Sequence, residues 1–193
     1  MRPPHEYARI ERERRFLLDR FPGAAVVRVR HITDRYIDGT RLRLRHQSDD
    51  GGPATFKLTQ KVPAPANRTQ QALITSIYLT PDEFRLLDQL PGKILRKVRY
   101  SVPPFGIDVF EGVLHGLLLA EAEFNSAAEA DALIIPDFIL HEVTDDERFT
   151  GGQLVCASRV NVEKWLAEYA IALSDSHPLR SPEGDQAVRG NPI

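Results

Sequence analysis

Carboxylates and cations recur at every second position along this chain of 193 residues. Glu11, Glu13 and Arg15 alternate, and so do Arg41, Arg43 and Arg45, Lys57 and Lys61 about Thr59, Lys97 and Arg99, and Glu121 and Glu123. A period of two is that of a β-strand, so each run sets its charges on one face. Two carboxylates at i and i+2 point the same way, with side-chain origins ~7 Å apart given the strand rise. Such a pair suits a hard divalent cation, because Mg2+ takes oxygen ligands and keeps waters and phosphate oxygens in its shell. Glu121 and Glu123 are flanked by apolar residues at 117–120, Ala122 and Phe124. The other face of that strand is then buried, and acids on it need partners or a metal. Asp108, between Ile107 and Val109, has the same surroundings. Among the cations, arginine suits bidentate phosphate contacts and lysine acts as a compact point charge. One run alone is a solvated strand face. Several together are either an exposed charged sheet or the inside of a closed barrel. Turned inward they make a cationic lumen with an acidic sector, the division of labour that phosphoryl transfer needs.

Other chemistry is poorly represented. The six histidines show no metal-ligand spacing, and His46, His115 and His141 read as surface or supporting groups. Cys156 is the single cysteine. It lies among Leu154, Val155 and Ala157 and reads as a buried apolar residue. No intramolecular disulfide can form, which suits a reducing cytoplasm. There is no nucleophile elbow, Walker loop or dinucleotide fingerprint. The net charge of −2 and pI near 6.3 supply no strong field toward nucleic acid or a membrane surface. No apolar run approaches the roughly 20 residues of a membrane span, and residues 1–20 lack the apolar core of a secretory signal. The expectation is a cytoplasmic protein with neither a nucleic-acid nor a membrane partner.

The charged runs need strands to position them. Strands are expected over 7–17, 25–33, 34–37, 40–47, 55–62, 71–79, 94–102, 105–110 and 114–124, with a turn at Asp38-Gly39. Thr80, Pro81 and Glu83 form a capping box with proline at the first helical position. Phe84, Leu87 and Leu90 give that helix its apolar stripe, and Pro91-Gly92 ends it. Ser126 and Glu129 open a second short helix to about 133. Asn161 is the expected cap of a last helix over 162–173, with Trp165, Leu166, Tyr169 and Leu173 on one side. With 42% hydrophobic residues, residues 1–173 read as one domain, and the Pro-, Gly- and Ser-rich stretch 174–193 reads as a disordered tail. Eight or nine strands with short inserted helices indicate an α+β fold, an antiparallel barrel or sandwich.

These residues together carry a resemblance. Ile10-Glu11-Arg12-Glu13-Arg14-Arg15-Phe16-Leu17 resembles the E-x-E-x-K signature of the CYTH domain, the triphosphate tunnel metalloenzymes. Tyr36-Ile37 with Arg41 to Arg45, Leu58-Thr59-Gln60-Lys61, and Arg96-Lys97-Val98-Arg99-Tyr100 are similar to later strands of that family. So are Ile107-Asp108-Val109-Phe110-Glu111-Gly112, the segment 118–124, and Val143-Thr144-Asp145-Asp146-Glu147-Arg148-Phe149. The resemblance implies an eight-stranded antiparallel β tunnel that binds triphosphates with Mg2+ or Mn2+. It implies that Glu11, Glu13, Glu121 and Glu123 hold metal with Asp108 beside them. It implies further that Arg15, Arg43, Arg45, Lys61, Lys97 and Arg99 grip phosphates, and that Tyr36 sits near the tunnel mouth. Lys97, Glu121 and Glu123 are the implied catalytic groups, with Lys97 as candidate base. Two positions depart from the pattern. Arg15 stands where the signature has lysine. Arg68 is followed by Thr69, Gln70, Gln71 and Ala72, where the family's next strand carries two acids. The implied activity is metal-dependent hydrolysis of a small triphosphate, inorganic tripolyphosphate first. The alternatives are a class IV adenylyl cyclase making cyclic AMP from ATP, and a non-catalytic polyphosphate or nucleotide binder. A homodimer stays open.

Overall fold

The structure, a computed structural model, describes residues 7–63 and 71–174. The expected tail beyond Ser174 and the departure at Arg68, Thr69 and Gln70 lie outside the described residues. The strands are β1 (Arg9–Leu17), β2 (Arg28–Ile37), β3 (Leu42–Asp49), β4 (Ala54–Pro63), β5 (Gln71–Leu79), β6 (Gly92–Val102), β7 (Phe105–Phe110), β8 (Leu118–Phe124) and β9 (His141–Glu142). They run in the order β5-β4-β3-β2-β6-β7-β8-β1, and β1 pairs back onto β5. The result is a closed, wholly antiparallel barrel of eight strands, the second of the two arrangements that the charge alternation left open. The two-residue β9 adds to β1 at Phe16 and Leu17. Because β1 and β5 pair at Glu11↔Ala72, no long strand edge is left exposed among the described residues.

Period two then decides what faces where. On one side of β1, β7 and β8 lie Phe16, Phe105, Ile107, Val109, Leu118, Ala120 and Ala122. They form an outer cluster covered by Leu133, Phe138 and Ile139. On the opposite, lumen-facing side lie Leu17, Leu95, Phe110 and Leu119. They pack with Val143, Phe149, Leu154, Val162 and Leu166. The segments after β9 therefore close one end of the barrel with an apolar floor. Each fully buried leucine or phenylalanine in it contributes roughly 1.5–3 kcal/mol. Arg148 fastens this floor by donating to both Asp146 and Glu168, and the Tyr169 hydroxyl donates to Asp146 at 2.9 Å.

Four short helices complete the described chain: α1 (Pro81–Leu87), α2 (Ala127–Asp131), α3 (Gly151–Leu154) and α4 (Arg159–Ala167). The Thr80–Glu83 capping box of α1 is present, and Phe84 packs on Phe56 and His46 outside the barrel, at 4.6 and 6.0 Å between ring centroids. At α2, Ser126 accepts from the Glu129 N–H, but the Glu129 carboxylate accepts from the Asn125 N–H, one residue before the cap.

Four expectations are corrected. The strands at 25–33 and 34–37 are a single β2 of 10 residues, because Asp34 finds its partner inside the barrel and makes no turn. The strand expected from 114 begins at Leu118, after a 3-10 turn over Gly112–Leu114. Gly116 follows at φ +95, and a Cβ on it would lie 2.7 Å from the Ser174 carbonyl oxygen. The last helix is capped by Ser158, with Asn161 the reciprocating third residue, and it stops at Ala167. Cys156 is exposed, and Lys93 donates to its sulfur at 3.3 Å. No helix among the described residues is long and apolar enough to cross a membrane.

Candidate functional site

The lumen is lined by the charges that alternation placed on one face. On β2 and β3, Asp34 is 1% exposed and receives both arms of Arg45, each at 2.7 Å, while Arg43 stands 3.8 Å away. Burial pushes the Asp34 carboxyl up, but Arg45 and Arg43 outweigh it and hold the group at about 2. On β6, β7 and β8, Asp108 is fully buried and accepts from Lys97 and from two arms of Arg99 at 2.6 Å. Arg99 also donates to Glu121. Burial works against the Glu121 anion, yet Arg99, then Lys97, Lys61 and Arg15, hold it well below the usual carboxylate range. Gly106 makes room for this cluster: a Cβ there would sit 3.0 Å from Cδ of Arg99.

The β1 wall is arranged differently. Lys61 reaches across from β4 to Glu11 at 2.5 Å and Glu13 at 2.9 Å. Burial, followed by the like charge of Glu13, still pushes the Glu11 carboxyl up, and Glu123 adds to that. Glu123 stands opposite Glu13 in the β1–β8 register. Glu11, Glu13 and Glu123 are thus a crowded acidic sector with Lys61 as the neighbouring counter-charge. Acceptor-only carboxylate oxygens of this kind fit a hard divalent cation. As they stand, no three acidic, histidine or cysteine side chains among the described residues converge in ligating range.

Arg15, in the place of a lysine, uses its length. It is buried, its side chain donates to the Thr144 carbonyl at 2.8 Å, and its backbone N–H donates to the Thr144 hydroxyl at 3.0 Å. Tyr36 is not at an open mouth. It packs against the apolar floor, and its hydroxyl lies so close to Gly151 that a Cβ there would overlap it. Arg43 stands opposite Tyr36 in the β2–β3 register, and burial pushes the Tyr36 phenol up. On β5 the lumen face carries Ala72 and Ile74, 7% and 4% exposed, and then Ser76, whose hydroxyl meets Thr59 at 2.9 Å. This wall bears no carboxylate among its described side chains.

Every residue the sequence nominated lies on the lumen face, with Tyr36 at its floor. Three that matter were missed. Asp34 shares the β2 phase of Tyr36 and would have been found had β2 been taken as one strand. Thr144 lies in a loop with no periodicity. Arg30, also on β2, faces Arg99 in the β2–β6 register.

The protein is 33% identical over 149 residues to an inorganic triphosphatase of Nitrosomonas europaea, an alignment covering 72% of this chain and 92% of that one. A crystal structure of the inorganic triphosphatase NE1496 superposes with a TM-score of 0.51 at 27% identity, over 76% of this chain and 95% of that chain. A second, of the hypothetical protein NE1496, gives a TM-score of 0.51 at 28% identity, over 77% and 99%. No family model matches the chain. The fold, the lumen and this identity over most of both chains place the protein in the family of the Nitrosomonas inorganic triphosphatase.

Proposed function

We propose that this chain is a triphosphate tunnel hydrolase of the CYTH kind, cleaving a phosphoanhydride bond of a small triphosphate, inorganic tripolyphosphate first. One observation carries the reading. Arg15, Arg30 and Arg43, on three different strands of the lumen, each keep a buried Nε–H with no hydrogen-bond acceptor among the described residues, a property shared outside the lumen by Arg12 of β1. Buried donors of this kind are rare and costly, and a polyphosphate supplies the acceptors.

The inner cations have fixed supports. Asp108 holds Lys97 and Arg99 pointing into the lumen, and Asp34 holds Arg45 in the same way. A phosphate chain entering this shell meets cations already oriented, so little reorganisation is needed as charge develops in the transition state. Hydrolysis forms one bond from water oxygen to the terminal phosphorus and breaks one anhydride P–O bond, giving orthophosphate and pyrophosphate. Arg15, Arg43, Arg45, Lys61 and Arg99 balance the charge on the non-bridging oxygens. Lys97, donating to Asp108 as an ammonium, adds to these cations, and the water's protons leave on the orthophosphate; unchanged tripolyphosphate affinity in Lys97→Ala would remove it from that role. Glu11, Glu13, Glu121 and Glu123 would hold Mg2+ or Mn2+. Asp108, saturated by Lys97 and Arg99, serves as their anchor. A divalent ion there supplies charge neutralisation and a more acidic water.

The test is phosphate release from tripolyphosphate, thiamine triphosphate and ATP, each with Mg2+ and Mn2+. Fastest release from tripolyphosphate is expected. Cyclic AMP from ATP would instead show a cyclase. Tight binding without release in either metal would show a binder, the reading that the acid-free β5 wall at Ala72 and Ile74 favours.

A further inference from the structure

We propose that Arg30 is a further phosphate-binding residue, forming an outer anion subsite that engages polyphosphates of three or more units and leaves pyrophosphate untouched. This rests on the triphosphate reading above and names the part of that site which senses chain length. Arg30 lies on the lumen face of β2, directly opposite Arg99 of β6. One of its terminal nitrogens donates to the neutral hydroxyl of Ser101, at 3.3 Å. Its Nε is buried and has no hydrogen-bond acceptor among the described residues. The nearby carboxylates are engaged elsewhere: Asp49 takes both arms of Arg28 at 2.9 and 2.5 Å, Asp34 takes Arg45, and Asp108 takes Lys97 and Arg99. Among the described residues no carboxylate pairs with Arg30 directly. Burial, then Arg99 and Arg28, depress this guanidinium below its ordinary range, with Asp49 offsetting only in part. A half-buried cation among like charges is costly until an anion joins it, and a planar guanidinium is suited to phosphate.

Position supplies the selectivity. Along the lumen face of β6 the order is Leu95 at the floor, Lys97, Arg99 and Ser101, each step being ~7 Å. Arg30 starts level with Arg99 in the register, but its terminal nitrogen is bound at Ser101, one step farther from the floor, while Arg28, level with Ser101, is taken by Asp49. A pyrophosphate seated on Lys97, Arg99 and Arg15 stops short of it, whereas a longer chain reaches it.

The test is calorimetric binding of tripolyphosphate and of pyrophosphate in EDTA, with wild type, R30Q and R30K. R30Q is expected to weaken tripolyphosphate at least ~10-fold, the range of a hydrogen bond to a charged group. Pyrophosphate should stay within about 2-fold and R30K should fall between. Unchanged tripolyphosphate affinity in R30Q, or equal weakening of both anions, would overturn the subsite while leaving the functional reading intact. R30Q melting well below wild type would show a structural anchor and overturn it too. A wild type that binds neither anion would refute the functional reading itself, and the subsite with it.

Discussion

Replacing Asp108 by asparagine separates two roles that its position allows, anchor and metal ligand. The carboxylate is fully buried and holds Lys97 and Arg99, themselves 7% and 9% exposed. The Asp108→Asn variant would leave two buried cations, of which only Arg99 keeps an acid partner, Glu121, among the described residues. Breaking a buried pair from one side costs roughly 3–5 kcal/mol, because the partner charge stays buried. At about 2–4 °C per kcal/mol for a domain of this size, the melting temperature should fall by roughly 6–20 °C. The lumen also gains one positive charge. Tripolyphosphate in EDTA should therefore bind the variant more tightly and raise its melting temperature more than that of wild type. Differential scanning calorimetry with and without tripolyphosphate, both in EDTA, measures both effects. A fall smaller than about 1 kcal/mol would refute the anchoring role, and weaker rescue by the anion in the variant would show that the lost orientation of Lys97 and Arg99 outweighs the added charge. A residue acting only as a metal ligand would show its effect only with metal present.

Acid should weaken the fold through Asp34. Its carboxyl sits at about 2 in the folded chain against about 3.9 unfolded, so it contributes roughly 2.5 kcal/mol that is present above pH 4 and lost as the pH falls through 2. Urea unfolding at pH 5 and pH 2.5 should show wild type losing more stability than Asp34→Asn, and equal losses would contradict the pairing. Gly151→Ala would drive a methyl into the Tyr36 hydroxyl and should cost about 1–3 kcal/mol by overpacking. Gly152→Ala meets nothing within 4 Å and should be neutral or stabilising by up to about 1 kcal/mol. Equal thermal shifts in the two would show that Tyr36 does not rest on Gly151. Since Tyr36 lies opposite Arg43 in the β2–β3 register, Gly151→Ala should also raise the KM for tripolyphosphate more than it lowers kcat.

What could be seen from sequence depended on whether a strand's two faces differ in chemistry. On β8 the contrast is clear beyond Leu119: Ala120 and Ala122 face the outer core, while Glu121 and Glu123 face the lumen. β1, β3 and β6 show it nearly as clearly. β2 hides it, because His31, Thr33 and Arg35 on the outer face are as polar as Arg30 and Asp34 on the inner one. Asp34 was missed for that reason, and its partner Arg45 comes from the neighbouring strand across a hairpin. Cys156 misled through its apolar neighbours. The helical turn sends Leu154 inward and leaves the thiol outside. Tyr36 could be assigned to the lumen but not to an end, since which end is closed depends on segments more than a hundred residues later folding over it. Arg15 in place of lysine makes sense only once Thr144 is in view, a contact that loop sequence does not signal.

Hydrolysis of a triphosphate in this charged lumen is read out by single-turnover release of orthophosphate from tripolyphosphate with Mg2+, comparing wild type with Glu121→Gln. The expected result is one orthophosphate and one pyrophosphate per tripolyphosphate in wild type. In the variant, release should be abolished while calorimetric binding of the anion and a cooperative melt are retained. Binding by wild type without release, or equal release by Glu121→Gln, would contradict it.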